Sequence, residues 1–335
     1  MAMAPDDVVL VGDEAPVGHD DVGGGDVANP RSVLGRDQRE QLRALLGQSV
    51  RFDQSLRRHT TNKTGGPADA LVRPTEIEQL VALVRWAAAG GVAVTVIGGG
   101  SNLLIRDGGI RGVVLSTDRL RKLSLEEPAT IRAEAGVATS KILALAMRNG
   151  LGGVEFLGGV PGSLGGGLIM NAGTYMGEFK DVVHSVTSVK LADGSGVVRD
   201  GSACGFRYRD SDLPSSEVVF SADLTLRPRD RADIDADVRA LRAQRHQREP
   251  KRVASNGSTF KNPPGEFAGR LIEAAGCKGW RVGEAECSPV HANWLVNTGN
   301  ASASELLTLI EQVRERVKVV HGVELTLEVK ILGED

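Results

Sequence analysis

The chain has 335 residues, a formal net charge of −3 and three cysteines, Cys204, Cys277 and Cys287. That length can bury two cores and suggests two or three domains, while the charge offers no clustered basic surface for nucleic acid. No apolar run approaches the ~18 residues of a membrane helix, and an odd, sparse cysteine set without a CxxC pair argues against a disulfide framework or zinc site and fits a reducing cytoplasm.

The first thirty residues carry Asp6, Asp7, Asp13, Glu14, Asp20, Asp21 and Asp26 without one Lys or Arg. So little apolar area cannot offset the entropy of ordering, and a disordered acidic tail is expected through about residue 35. A secretory signal would need a basic start and an apolar centre, and both are missing. Ordered chain begins near Arg36 with a short helix through Leu46. Thr75 with Glu78 forms a candidate capping box, after which Ile77, Leu80, Val81, Val84 and Ala88 repeat at helical spacing until Gly90-Gly91. Val92–Ile97 reads as a β-branched strand, Val113–Leu115 and Thr130–Ala135 as further strands, and Ser140–Arg148 as a helix closed at Gly150.

Val186–Leu191 and Val218–Leu226 read as strands around a turn at Asp193-Gly194. A strongly charged helix follows from Asp233 to Arg248; its arginines can contact a phosphate or simply form a solvated face. Beyond it come a helix at Ala268–Ala275 and another opened by a Ser302/Glu305 capping box, with Leu306, Ile310, Val313, Val317 and Val320 as its apolar seam. A last strand is expected over Glu324–Leu332. The order implies an α+β or mixed α/β fold without a fixed-period repeat.

Three constellations carry chemistry. In the first, Val94–Ile97 runs into Gly98, Gly99, Gly100, Ser101, Asn102 and Leu103. Glycines let main-chain amides approach an anion closely, and Ser101 and Asn102 add donors; a tight turn is the alternative. The segment matches neither a nucleotide-triphosphate loop nor a GxGxxG fingerprint. The second is Gly158–Gly167, continuing to Asn171-Ala172-Gly173. Its glycine density disfavours regular structure, which close contact with a flat or phosphorylated ligand would offset; Leu164, Leu168, Ile169 and Met170 speak against the alternative of a fully solvated loop.

The third is spread along the chain. Arg209, in Phe206–Ser211, can pair with a carboxylate through two nitrogens. Ser258, Lys261 and Asn262 can supply a proton and hold a polar substrate. Glu328, among Leu325, Leu327 and Val329, is placed for a perturbed pKa. Each has an ordinary alternative: a surface ion pair for Arg209, a turn for Ser258, a solvated strand face for Glu328.

His59–Ala68, Gly98–Leu103, Gly159–Gly165, Asn171–Gly173, Tyr208–Asp210, Gly257–Pro263 and His291–Asn293 occur in this order, and together they resemble the UDP-N-acetylenolpyruvoylglucosamine reductase family. The resemblance runs from about Phe52 to Gly333. It implies an α+β chain: a two-lobed FAD-binding domain of the vanillyl-alcohol-oxidase type over 36–229, with lobes of about 52–115 and 116–229, then a smaller α+β substrate-binding domain over 230–335. It implies FAD and NADPH as cofactors, an enolpyruvyl sugar nucleotide as substrate, and a cytoplasmic protein, expected monomeric, of peptidoglycan precursor synthesis. Flavin reduction by NADPH would precede hydride delivery to carbon 3 of the enol ether and protonation at carbon 2.

Gly98, Gly99, Gly100, Ser101, Asn102 and Leu103, with Val160, Pro161, Gly162, Ser163, Gly165 and Gly166, would hold the FAD pyrophosphate, and Asn171 and Ala172 would lie near the flavin. Ser258 matches the general acid, Arg209 and Glu328 the pair beside the substrate carboxylate, and Tyr175, Lys261 and Asn262 are candidates for substrate contact; no metal is implied. Two features depart from the family pattern. No loop carrying a tyrosine follows Tyr208, as in the shorter subgroup, and Leu327 stands where proline is common. A flavin oxidase on the same scaffold, disfavoured by Ser258 and by the lack of a histidine for covalent flavin attachment, and a non-catalytic flavin or nucleotide-sugar binding module are the competing readings.

Overall fold

A computed structural model describes residues 31–335. The acidic tail expected from the sequence lies outside the described residues, apart from Arg31–Gly35, which lead into helix Arg36–Leu46.

Three sheets organise the α+β chain. The first has the order Val50–Ser55, Pro67–Val72, Ile110–Ser116, Val94–Ile97. Its first pair is antiparallel and the others parallel. Helix Ile77–Ala89 is the crossover from Pro67–Val72 to Val94–Ile97, parallel strands that lie on either side of Ile110–Ser116. Ala68–Val72 is buried throughout, as a strand covered on both faces should be. Leu42, Leu80, Leu83, Val84, Val113 and Leu115 fill the core beneath the helices.

The second sheet is antiparallel, in the order Gly196–Asp200, Val183–Lys190, Glu217–Thr225, Thr130–Glu134, Leu123–Glu126. Helix Thr139–Arg148 packs on it, and the charged helix Arg231–Arg248 adds Ile234 and Val238 to the same core. A strand missed in the sequence is Gly196–Asp200. The Asp193-Gly194 turn joins it to Val183–Lys190, not to Glu217–Thr225; its alternation of exposed and half-buried residues gave too little apolar signal.

The third sheet, Ala254–Ser255, Leu295–Asn297, Ala285–Cys287, Arg281–Val282, lies with helices Ala268–Ala274 and Ala303–His321 around Leu271, Ile272, Leu306, Ile310 and Val313. Val320, expected in that seam, is 41 % exposed. The final strand is shorter than expected: Lys330–Leu332 runs parallel to Leu103–Ile105, and before it Leu327 makes only an isolated antiparallel bridge with Phe260. Glu328 therefore sits in an extended approach to that strand, and the end of the described chain returns to the glycine-flanked segment of the first lobe.

The two candidate capping boxes diverge. Ser302 and Glu305 exchange both hydrogen bonds, Glu305 N–H to Ser302 Oγ at 3.1 Å and Ser302 N–H to Glu305 Oε2 at 3.0 Å. The Thr75/Glu78 box does not form. Gln79 Oε1 accepts the Thr75 N–H at 3.0 Å instead, and the helix starts after Glu76.

Helix Ala303–His321 has a second cap from another part of the chain. The Asp107 carboxylate accepts from the N–H groups of Ala303 at 2.8 Å and Ser304 at 2.9 Å, and from the Ser304 hydroxyl at 2.7 Å. Burial works to raise its pKa, but the Ser304 and Ala303 hydrogen bonds and the Arg57 charge outweigh that and hold it below the usual range. Asp107→Ala should lower unfolding stability by about 1 kcal/mol, the usual value of a lost cap. Because the folded-state pKa is depressed, this contribution is present at neutral pH and disappears as pH falls through that pKa. Denaturant midpoints of parent and variant at neutral and acid pH would show the difference shrinking; a constant difference would contradict it.

Candidate active site

The two glycine segments lie against each other. Gly99 N–H donates to Ser163 Oγ at 3.3 Å. A Cβ on Gly162, whose φ is 104°, would come within 2.6 Å of Ser101 Oγ. One on Gly100, at φ 69°, would overlap the His59 carbonyl. Gly165 is pressed on the Ala135 Cβ, 2.9 Å from where its own would be, and Gly167 on the Phe179 ring. Much of the glycine density therefore serves approach of chain to chain as well as room for a ligand. Gly166 differs: it is exposed, and its Cβ would meet only Ser163 Oγ, at 3.9 Å. The residues 164–169 form a short helix that the sequence had not marked.

Donors remain for an anionic, flat ligand. Among the described residues, the main-chain N–H groups of Gly100, Ser101 and Asn102 donate to no protein group. The Asn62 side chain is fully buried and its Nδ2 has no partner among the described residues. Thr61 N–H, bonded to the Gly100 carbonyl at 3.2 Å, sets this stretch beside the loop. Free amides, an open glycine face and a buried unpaired amide fit a pyrophosphate and ring system such as that of FAD.

Across from this cradle, Arg209 sits at φ 54° in a turn closed by Arg207 N–H to the Asp210 carbonyl at 2.9 Å. Its Nε donates to Glu328 Oε1 at 3.1 Å and its Nη2 to the Gly173 carbonyl at 3.1 Å. Glu328 N–H donates to the Thr259 carbonyl at 2.8 Å, which places Ser258 and Glu328 on paired segments. Burial raises the Glu328 pKa, more than the Arg209 charge and hydrogen bond and the Lys261 charge lower it.

Ser258 follows Gly257 at φ 74° and is half-buried; among the described residues its hydroxyl has no hydrogen-bond partner. Its segment is held on both sides. Asn256 Nδ2 donates to the Leu103 carbonyl at 2.8 Å, and Asn293 clamps Phe260 with Oδ1 on its N–H at 2.9 Å and Nδ2 on its carbonyl at 2.8 Å. The structure thus joins Arg209 to Glu328 and sets the segment of Ser258 and Lys261 beside Glu328.

Other candidates fall differently. Tyr175, 71 % exposed, stands at the tip of the hairpin Gly173–Thr174/Gly177–Glu178, whose base Arg209 grips. Asn262 Oδ1 accepts from Ala268 N–H at 3.0 Å and so caps helix Ala268–Ala274. Asn171 and Ala172 use their main-chain N–H groups on Leu168 and Gly167, at 3.1 and 2.8 Å. Asn171 is fully buried with both ends of its side chain engaged within the protein. The Asn102 side chain is likewise directed to the Glu328 carbonyl. Arg245, within the charged helix, lies over Gly159, where a Cβ would be 3.0 Å from its Nη1; the surrounding run of charges hid it.

Comparison with known proteins agrees with this arrangement. Residues 68–201 match the model of an FAD binding domain, and residues 249–332 that of the UDP-N-acetylenolpyruvoylglucosamine reductase C-terminal domain. The chain is 44% identical over 297 residues to UDP-N-acetylenolpyruvoylglucosamine reductase of Anaeromyxobacter dehalogenans, covering 88% of this chain and 89% of that one. It is 45% identical over 289 residues to the same-named protein of Rubrobacter xylanophilus, covering 85% and 96%. The solved structure of the reductase from Thermus caldophilus superposes with a TM-score of 0.75 at 35% identity, over 85% of this chain and 100% of that one. The chain therefore belongs to the UDP-N-acetylenolpyruvoylglucosamine reductase family.

Proposed function

We propose that this protein reduces the enolpyruvyl ether of UDP-N-acetylglucosamine enolpyruvate to the lactyl ether, using FAD and NADPH, as a step of peptidoglycan precursor synthesis. The observation that carries the reading is the Arg209–Glu328 pair, joined at 3.1 Å, beside the Ser258 segment and the amide-rich cradle. The hydride for carbon 3 comes from FAD reduced by NADPH, and that is the one contribution asked of the cofactor. Gly100, Ser101 and Asn102 amides and the Gly166 face hold it. Arg209, fixed by Gly173 and Glu328, faces the substrate carboxylate and stabilises the enolate charge that grows there; a preorganised cation in a water-poor site acts strongly on such charge. Glu328, held toward its protonated form, donates a hydrogen bond to the same developing charge. Ser258 delivers the proton to carbon 2, completing addition of hydrogen across the double bond. Lys261, whose charge reaches Glu328, favours the alkoxide left behind.

Residues 230–335 supply most of the substrate side of the site on this reading, with Arg209 entering from the second lobe. A monomer in the cytoplasm is the setting proposed, and three buried free thiols suit a reducing compartment. Purified protein should release FAD on denaturation and consume one NADPH per sugar nucleotide, without oxygen. Consumption of NADPH that requires oxygen and ignores the sugar nucleotide would refute the reading.

Two glycine variants probe the cradle. Gly100→Ala forces a side chain into a left-handed conformation against the His59 carbonyl and should destabilise by more than about 1 kcal/mol. Gly166→Ala has room in the protein and gains about 0.5–1 kcal/mol of helix preference. It should leave the melting temperature unchanged or raised, yet weaken FAD binding by about tenfold, the equivalent of about 1.4 kcal/mol. Thermal melts of the flavin-free protein with FAD titration separate the two effects; unchanged FAD affinity would place the cofactor elsewhere.

A further inference from the structure

Each glycine segment ends in an asparagine, and each asparagine side chain turns toward the reactive pair. Asn102 Nδ2 donates to the Glu328 carbonyl at 3.0 Å, and the Asn102 carbonyl accepts from Lys330 N–H at 3.0 Å. This continues, by one side-chain hydrogen bond, the parallel pairing of Leu103–Ile105 with Lys330–Leu332. Asn171, fully buried at φ 40°, donates from Nδ2 to the Arg207 carbonyl at 3.1 Å and accepts Lys180 N–H on Oδ1 at 2.9 Å. Arg207 closes the turn that carries Arg209. The first segment thus holds the main chain of one member of the pair, and the second holds that of the other.

The pair itself has one hydrogen bond, from Nε to Oε1, and single-point pairs swing easily unless their main chains are fixed. We propose that Asn102 and Asn171 are positioning residues that lock Glu328 and Arg209 to the two cofactor segments, so that the polarising pair and the flavin cradle form one rigid body. This rests on the assignment of Arg209 and Glu328 to the substrate carboxylate. A positional error of an ångström at reacting groups costs on the order of 100-fold in rate, which is the reason to anchor the pair to the element that holds the hydride donor.

The test uses the FAD-loaded enzyme with Asn102→Ala, Asn102→Asp, which keeps the size and replaces the donor by an acceptor, and Asn171→Gly, which relieves the positive φ. The first readout needs no substrate: the Nε–H resonance of Arg209 in arginine-labelled protein, assigned through Arg209→Lys. Parent enzyme should show it protected from exchange, and the Asn102 variants and Asn171→Gly should broaden it or shift it; a resonance unchanged in the Asn102 variants or in Asn171→Gly overturns the proposal for that asparagine whatever the reaction proves to be. The second is a double-mutant cycle on reoxidation of the reduced flavin by the sugar nucleotide. Asn102→Ala should slow that step about 10- to 100-fold in the parent but no more than about threefold on Glu328→Ala, where no side-chain donor is left to position, because coupled residues are not additive. Additive losses would overturn the proposal, and a tenfold rise in the FAD dissociation constant measured by equilibrium dialysis alongside them would make the Asn102 side chain, and not only its main-chain amide, a cofactor ligand.

Discussion

Ser258→Ala is expected to leave bleaching of the bound flavin by NADPH intact while slowing reoxidation by the enolpyruvyl sugar nucleotide roughly 10²- to 10⁴-fold, the range of a lost general acid. The two halves separate because the proton is needed only at carbon 2, after NADPH has acted. The hydroxyl makes no hydrogen bond among the described residues and its segment is fixed through Asn256 and Asn293, so removing one oxygen should not disturb the fold. Ser258→Cys, which restores a proton-bearing group of similar shape, should recover part of the rate. Stopped-flow absorbance under anaerobic conditions measures both halves on one sample. Equal reoxidation rates in Ser258→Ala and parent would remove Ser258 from the mechanism.

Glu328 gives the second large effect, in its dependence on pH. Burial raises its folded-state pKa against the pull of Arg209 and Lys261. Below that pKa the carboxyl is protonated and donates to the enolate; as pH rises through it the donor becomes a second anion beside the substrate carboxylate. Reoxidation should therefore be fastest on the acid side and fall on the alkaline side, while NADPH bleaching shows no such fall. Glu328→Gln keeps a neutral donor, so it should retain more activity than Glu328→Ala, which loses about 10²- to 10³-fold as a removed transition-state donor does. The Gln variant should also lose the alkaline fall. Stability follows the same sign. A carboxyl with a raised folded-state pKa favours the native state when protonated and opposes it above that pKa, so Glu328→Gln should not lower the melting temperature at neutral pH. A Gln variant with the parent's pH profile would show that another group titrates.

Elements with local signals were legible in the sequence. Ser302 and Glu305 stand three apart before an apolar repeat, and the capping box they imply is made. Val94–Ile97 running into three glycines is likewise where a strand meets a loop. What failed was decided by a competing partner or by a neighbouring strand. Thr75 carries the same local pattern as Ser302, yet Gln79 one residue further reaches back and shifts the helix start. The strand Gly196–Asp200 exists because Val183–Lys190 presents an edge to it, not because of its own apolar content.

Within the site, residue types were legible and partners were not. The glycines of Gly158–Gly167 announced close approach, but no spacing says whether the approaching surface is a ligand, as it can be at Gly166, or Phe179, as it is at Gly167. No spacing says where the side chains of the asparagines in the two segments go: they bond the main chain of Glu328 and of Arg207 in the Arg209 turn, 226 and 36 residues away along the chain. Arg209 and Glu328 are 119 positions apart, and only folding places them 3.1 Å from each other.

The measurement that bears most directly on the chemistry is an anaerobic titration of the flavin-loaded protein, bleached with one equivalent of NADPH and then given UDP-N-acetylglucosamine enolpyruvate. Full return of the oxidised flavin spectrum, with one lactyl ether formed per flavin, is the expected result. A flavin that stays bleached with the sugar nucleotide and recovers only on admission of oxygen would contradict it.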